Sequence, residues 1–352
     1  VLVDSGILRE PVSTLEEVFF QTKDALTLKL RRRRPQSSCE LGPVLLVHGA
    51  GVRSHIFEPP RPGNIDVALS EAGFDVWNLD WRASIDQPPN EWTLDSAAVY
   101  DYPAAVKTIL ERTGRSTLKA MVHCQGSTSF MISLVAGLLP EVTTVVSNAV
   151  SLHPVVPALA RFKALYAVPS LGRFLPYLNP QWGISAPPGW PRAFDFYVRA
   201  TRHECNNPVC KWSSFTFGSG APTLWKHENL TSDVHEWLKG EFAHVPMTFF
   251  RQMSKSIAAG HLVSTGQFND VLPASVVERA PRTDARIVLL AGQFNSCFLP
   301  ASQARTYDFL DHYAPGRHGY YELAGYGHLD VFIGKDAPNA VFPLIIDELT
   351  RG

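Results

Sequence analysis

The sequence predicts an α/β fold: a mostly parallel, doubly wound sheet carrying a large, mainly helical insertion. Three observations lead there. Short, wholly apolar runs such as "PVLLVHG" (43–49), "FDVWNLD" (74–80) and "ARIVLLAG" (285–292) read as strands buried on both faces. Helical stretches alternate with them, as a parallel sheet covered on both sides requires. From about Val155 to Pro281 that rhythm stops, and the chain becomes crowded with Trp, Phe, Tyr, Pro and His. Both ends of this stretch return to adjacent strands, so residues 1–154 and 282–352 are expected to form one core and 155–281 a cap or lid.

Taken in order, the first 35 residues read as a β-hairpin, "EEVFFQT", a turn at Lys23-Asp24, then "ALTLKLR" with period-two alternation. "IDVALSEAG" carries helical spacing and a glycine stop between the strands at 43–49 and 74–80. "DYPAAVKTILERTG" (101–114) is a helix with proline near its start and glycine at its end. "LKAMVHC" (118–124) is the next strand and "TSFMISLVAGLL" (128–139) the helix after it. "VTTVVSNAVSLHP" (142–154) and "GYYELAG" (319–325) supply further strands, and "AVFPLIIDELTRG" closes the chain as a helix.

With 45% hydrophobic and 18% charged residues, 352 residues hold enough apolar material for a large core. A formal net charge of −1 gives no footprint for nucleic acid or an acidic membrane surface. Arg31 to Arg34 form the only basic run and are expected to be an exposed strand end. No apolar run approaches the roughly 20 residues of a membrane span, and "VLVDSGILRE" lacks the basic and apolar regions of a secretory leader. The absence of a starting methionine leaves a removed leader open. Five cysteines (39, 124, 205, 210, 297) without CxxC pairs suit a reducing compartment, and a cytoplasmic location is expected. "HECNNPVC" (203–210) resembles metal ligands but lacks a second ligand pair at zinc spacing, so neither metal nor cofactor is expected.

Three segments fall just beyond the carboxyl ends of strands, where a doubly wound sheet collects its active site. In "VLLVHGAGV", His48-Gly49-Ala50-Gly51 leaves backbone N–H groups open to a substrate, and Ala50, or Gly51, is one candidate oxyanion donor. "AMVHCQGSTSF" (120–130) has the outline of a strand-to-helix elbow with Cys124 at its tip and Gln125 as the second donor. Such an elbow wants small residues two before and two after its tip; Gly126 meets the demand and Val122 does not. "YELAGYGHLDVFIG" places His328 in a glycine-flanked loop after the last strand, where the order nucleophile, acid, histidine puts the base.

The orienting residue is less definite. "QFNSCFLP" follows the penultimate strand without a carboxylate, and Asn295 stands where an aspartate would be expected. Asp330 and a carboxylate elsewhere are the alternatives. A thiol–imidazole pair needs an acid less than a serine pair does, since it can rest as thiolate–imidazolium. Trp182, Trp190, Phe215, Trp225 and His227 are candidate pocket residues of the cap.

Together these segments resemble the α/β-hydrolases. With "SLHPVVP", "CNNPVCKWSSFTFG…H" and "GQFNSCFLPASQARTYDFL", the sequence is similar to the hydrolase-like region associated with cholesterol-oxidase-type glucose–methanol–choline oxidoreductases. That resemblance implies a cysteine elbow and an asparagine after the penultimate strand as family features. The expected activity is hydrolysis of an ester, lactone or thioester in a bulky apolar substrate, through Cys124, His328 and Asn295 or Asp330. An acyltransferase or cyclase acting on a polyketide- or lipid-like chain, and a catalytically silent ligand-binding fold, are the rival expectations. The partner expected is a small-molecule or carrier-bound acyl substrate; oligomeric state is not legible.

Overall fold

The computed structural model describes residues 15–35 and 39–351. The leader reading of residues 1–10, the first part of the predicted hairpin segment and the last residue of the final helix lie outside them. Eight strands form one sheet: β1 (Leu15–Gln21), β2 (Thr27–Arg33), β3 (Pro43–Val47), β4 (Asp75–Asp80), β5 (Leu118–His123), β6 (Val142–Asn148), β9 (Arg286–Gly292) and β10 (Gly319–Leu323). A separate ribbon pairs β7 (Tyr177–Leu178) with β8 (Val245–Pro246). The order in the large sheet is β1-β2-β4-β3-β5-β6-β9-β10. All pairings from β4 to β10 are parallel, and β2 runs against both its neighbours.

The apolar runs behave as their composition dictates. Every residue of β3 and β4 is buried, and each fully buried Val or Leu contributes roughly 1.5–3 kcal/mol relative to exposure. Among the helices, α1 (Ile65–Glu71), α2 (Tyr102–Thr113), α3 (Cys124–Val135), α8 (Pro300–Tyr313) and α9 (Phe342–Thr350) connect or follow strands of this sheet. Gly114 ends α2 at φ +67, a left-handed stop. α3 is buried along its whole length, and its hydroxyls pair with β6 and the chain just after it, Ser127 Oγ with Ser147 Oγ at 2.5 Å and Thr128 Oγ1 with Ser151 Oγ at 2.8 Å.

β6 and β9 are adjacent and parallel, so the chain between them leaves the sheet and comes back beside its point of departure. This intervening segment carries α4 (Trp190–Thr201), α5 (Pro208–Phe217), α6 (Ser232–Trp237) and α7 (Met247–Ala259). A small core of its own, with Leu175, Leu178, Trp182, Val198, Trp212 and Met247, holds part of it together. β6 is shorter than the expected strand, because "SLHPVVP" runs as irregular chain.

The arginine run corrects one expectation. Arg31 and Arg32 are 6% and 9% exposed rather than solvated. Each is matched by a carboxylate through two hydrogen bonds, Arg31 to Glu58 (2.7 and 3.2 Å) and Arg32 to Asp75 (2.8 and 2.7 Å). Arg32 also stacks on Trp77 at 4.6 Å, and Arg33 Nε donates to Asp66 at 2.7 Å. Forked, charge-assisted pairing is what lets a guanidinium leave water. No helix among the described residues is long and apolar enough to cross a membrane.

Candidate active site

β5 ends at His123 and α3 begins at the next residue. The chain turns that sharply because Cys124 takes φ +57, a left-handed conformation that costs a non-glycine residue roughly 1–2 kcal/mol. The turn lays α3 directly on the loop after β3. A Cβ at Gly126 would lie 2.1 Å from the carbonyl oxygen of His48 and 2.8 Å from Val47 Cγ1, and one at Gly49 would lie 2.9 Å from Cys124 Cβ. Val122 is accommodated because it is fully buried in the sheet's core, in register with Val47 on one side and Ser147 on the other. In an open helical position Gly→Ala gains roughly 0.5–1 kcal/mol; at Gly126 the sign reverses. Gly126→Ala is expected to lower unfolding free energy by about 3 kcal/mol, read by chemical denaturation, and an unchanged midpoint would show that the contact with His48 yields freely.

The sulfur of Cys124 is faced by two backbone N–H groups, those of Ala50 and Gln125. Gln125 stands in the first turn of α3, where no helical carbonyl is available to its N–H. The N–H of Gly51 donates instead to Ala83 O at 3.3 Å, which separates it from Ala50 as a donor. Asp80 fixes the surrounding loops: its carboxylate accepts from Ser54 N (2.7 Å), Ser54 Oγ (3.1 Å) and Ser84 Oγ (3.3 Å).

His328 lies beside this elbow: the sulfur of Cys124 and ring nitrogens of His123 and His328 all fall within 4.8 Å of one another. Neither ring nitrogen of His328 has a hydrogen-bond partner. Both expected orienting residues are engaged elsewhere. Asn295 Oδ1 accepts from the N–H groups of Cys297 and Phe298 (3.0 and 3.1 Å), as a turn cap. Asp330 accepts from Gly327 N (2.8 Å), Asn229 Nδ2 (2.6 Å) and Lys226 N (3.3 Å), so it builds the loop rather than touching the ring. What does approach His328 is His123, with ring centroids 4.8 Å apart. Asn148 Nδ2 donates both to His123 Nδ1 (2.8 Å) and to the carbonyl of His328 (3.1 Å), which places the proton of a neutral His123 on Nε2.

Burial governs the charge states. It pushes the Cys124 thiol up to about 12, with the two facing N–H groups offsetting part of the effect, and pulls His328 down to about 3. His123 is held well below its ordinary value by burial and then by His328 and His48. The thiolate–imidazolium pair the sequence allowed is therefore replaced by a neutral thiol beside a neutral imidazole, because a dry site penalises both charges.

Cys124 borders two cavities. The smaller, about 280 Å³ with its open mouth, is walled by Ala50, His123, His328, Phe217 and Leu329 among others. The larger, about 890 Å³ on the same measure, is lined from α7 by Met247, Phe249, Phe250, Met253 and Ile257, and from α5 by Phe215 and Phe217. Its main polar intruder is Lys163, on a π-helical turn, whose ammonium donates to Phe215 O (2.7 Å) and to Gly218 O. Burial, then Arg202, pulls that group down to about 8.

Of the five aromatic and histidine residues expected in a pocket, Phe215 borders the large cavity. Trp182 packs edge-on against Trp212 at 5.5 Å in the segment's own core. Trp190 is 60% exposed at the start of α4, and Trp225 packs on Phe242 at 5.8 Å. His227 belongs to another cluster altogether. Of the lining, one wall comes from the 156–171 stretch and another from "MTFFRQMSKSIAA", whose apolar residues recur at helical spacing and were legible as one face of a helix. His123 was missed because a histidine before the elbow tip has no signature of its own.

The sequence matches the α/β-hydrolase-fold family over residues 42–181. It is 31% identical over 132 residues to the Schizosaccharomyces pombe protein named "probable lipase" (32% of this chain, 29% of that one). It is 28% identical over 107 residues to sterol esterase 2 of Saccharomyces cerevisiae (27% of this chain, 20% of that one). The chain thus spans under a third of the length of these relatives. Superposition on the monoacylglycerol lipase of Paleococcus ferrophilus covers 96% of this chain and 99% of the other, with a TM-score of 0.56 at 16% identity. The chain has the α/β-hydrolase fold. In an α/β-hydrolase the elbow, the loop after β3 and the loop after the last strand converge on one site, and here they converge on Cys124, Ala50 and His328.

Proposed function

We propose that this chain is an ester hydrolase of the lipase and esterase type, with Cys124 as nucleophile and His328 as general base, acting on a bulky, largely apolar substrate. The observation that carries the reading is the strained placement of Cys124, at φ +57 with its sulfur faced by the N–H groups of Ala50 and Gln125. Strain of that kind on a reactive side chain is retained where it serves chemistry. The relatives' names (lipase, sterol esterase) and the large apolar cavity support a lipid-like ester. The resemblance to the hydrolase-like region associated with glucose–methanol–choline oxidoreductases agrees with a cysteine at the tip.

The reaction begins with the substrate carbonyl oxygen against Ala50 N–H and Gln125 N–H. Because the resting thiol is neutral, His328 takes its proton as the S–C bond forms, and negative charge moves to the carbonyl oxygen. Each oxyanion donor is worth about 3–4 kcal/mol in comparable acyl transfers. Collapse expels the alcohol, which recovers the proton from His328 and leaves a thioester on Cys124. Water, deprotonated by His328, attacks that thioester; collapse expels the sulfur of Cys124, which takes the proton back from His328, and the acid is released. His123, neutral and held by Asn148, packs against the imidazole of His328.

Intact-mass analysis after brief exposure to activated esters of increasing acyl length tests this. An acyl adduct on Cys124, forming faster with longer chains, is the expected result; adduct formation indifferent to chain length would remove the apolar cavity from the mechanism. One observation favours a second reading, a ligand-binding hydrolase fold without turnover: both ring nitrogens of His328 lack partners. That reading expects no adduct with any ester.

A further inference from the structure

A second compact group of reactive side chains lies in the intervening segment, apart from the site already described. Cys205, Cys210, His227 and His235 place their sulfur and ring-nitrogen atoms all within 4.8 Å of one another. Cys210 Sγ is 3.4 Å from His227 Nε2, and the two imidazoles meet edge to face at 4.8 Å. A tetrahedron with metal–sulfur bonds of about 2.3 Å and metal–nitrogen bonds of about 2.0–2.1 Å has a sulfur–nitrogen edge of roughly 3.5 Å. Two thiols and two imidazoles in that volume are a donor set suited to zinc.

The scaffold is built to bring them together. Asn207 caps α5, accepting from the N–H groups of Val209 and Cys210 (3.0 and 3.1 Å), and its amide donates to His235 O at 2.6 Å. His235 rides on α6, capped by Thr231. Two polar groups remain without a hydrogen bond. His235 Nε2 is buried with no partner, and so are both carboxylate oxygens of Glu204, whose side chain is 4% exposed, neighbours Cys210 and is ion-paired to Arg202 Nη1 only at a long 3.9 Å. A dication would satisfy the first and lie close to the second. The sequence hid the site because its two histidines lie eight residues apart, on a 3₁₀ turn and the following helix, outside the usual zinc spacing.

We propose that Cys205, Cys210, His227 and His235 hold a zinc ion in a closed, four-ligand structural site. As each sulfur–zinc bond forms, the thiol proton leaves to solvent, and two thiolates neutralise the dication. With no open coordination position the metal does not take substrate; it fixes the 226–237 stretch. That stretch, with Leu224 just before it, is what the His328 loop is laid against: Asp330 accepts from Lys226 N and Asn229 Nδ2, Leu329 N donates to Leu224 O (2.8 Å) and Lys335 N to Asn229 O (2.8 Å). The metal site stands independently of the hydrolase reading, whereas its support of His328 rests on it.

The full chain, purified from zinc-supplemented medium and dialysed against metal-free buffer, is expected to carry one zinc per chain, with two sulfur and two nitrogen neighbours by X-ray absorption. The double variant Cys205→Ser/Cys210→Ser should lose at least nine-tenths of that zinc, while Cys124→Ala should keep it, excluding the compact His123–Cys124–His328 group as the holder. Should the double variant fail to fold, wild-type protein stripped by chelator and titrated with Co²⁺ supplies the test: a thiolate-to-cobalt charge-transfer band and a raised Tm are expected. Zinc-free wild type whose stripped form gives no such band overturns the proposal. So does a chain lighter by two hydrogens from a Cys205–Cys210 disulfide, or zinc that survives the double variant and leaves with Cys124→Ala. Full ester turnover after zinc removal would sink the supporting role and leave the site standing; zinc present with no turnover on any ester would instead sink the hydrolase reading alone.

Discussion

Cys124→Ala is expected to lower ester kcat/KM by about 10³-fold or more, because the covalent route disappears while binding and the two facing N–H groups remain. Folding should survive, since alanine keeps the φ of +57 no worse than cysteine does. The pH behaviour of the wild type separates this mechanism from one that uses a preformed thiolate. With the thiol pushed up to about 12, inactivation by iodoacetamide should keep accelerating through pH 9 and beyond, with no plateau near neutrality. His328 must be neutral to accept the proton, and burial keeps it neutral down to about pH 3. The acid limb of kcat/KM should therefore lie well below 6.5, and the rate should hold as pH falls from 7 to 5. An acid limb centred at 6.5 would mean that imidazole is hydrated in the working enzyme. A reactivity plateau below pH 7 would restore the ion pair.

What was legible in the sequence follows from what each signal depends on. Strands such as 43–47 and 75–80 announce themselves because burial on both faces leaves no room for polar residues. The elbow was readable at Cys124 and Gly126 because its geometry is local: one residue must go left-handed and a glycine must touch the neighbouring loop. Asn295 misled because its position in the chain is right for an acid, but a short side chain beside free N–H groups satisfies its own turn first. Arg31 and Arg32 misled because their partners Glu58 and Asp75 are brought to them only by the sheet and its crossovers. His123 and the Cys205–His235 group depend on contacts between segments that share no spacing rule. The apolar wall of the large cavity was within reach, since α7 repeats its apolar residues at helical period, yet which face meets Cys124 is decided by packing alone.

Gly292→Ala is expected to be the most damaging single methyl in the chain, lowering unfolding free energy by about 3 kcal/mol or more. Gly292 ends β9, and a Cβ there would lie 1.7 Å from the carbonyl oxygen of Gly327 and 2.9 Å from that of Tyr326. Both neighbours are backbone, so neither can rotate away. Phe294 N donates to Tyr326 O at 2.8 Å, tying the strand end and the loop from the other side, while Gly327 itself is pressed against Trp225 Cα at 3.3 Å from a virtual Cβ. Relief requires the end of β9 or residues 326–328 to move, and movement of the loop displaces His328 relative to Cys124. Gly316→Ala is the control: its φ of +75 brings backbone strain, but nothing lies within 4 Å of the added methyl, so it should cost only about 1 kcal/mol. If the displacement is as the packing demands, Gly292→Ala examined at a temperature where it remains folded should still alkylate at Cys124 yet form acyl adduct far more slowly than wild type. A Gly292→Ala protein as stable and as reactive as Gly316→Ala would show that the last-strand loop is free to shift, and that His328 is placed by something other than its contact with the end of β9.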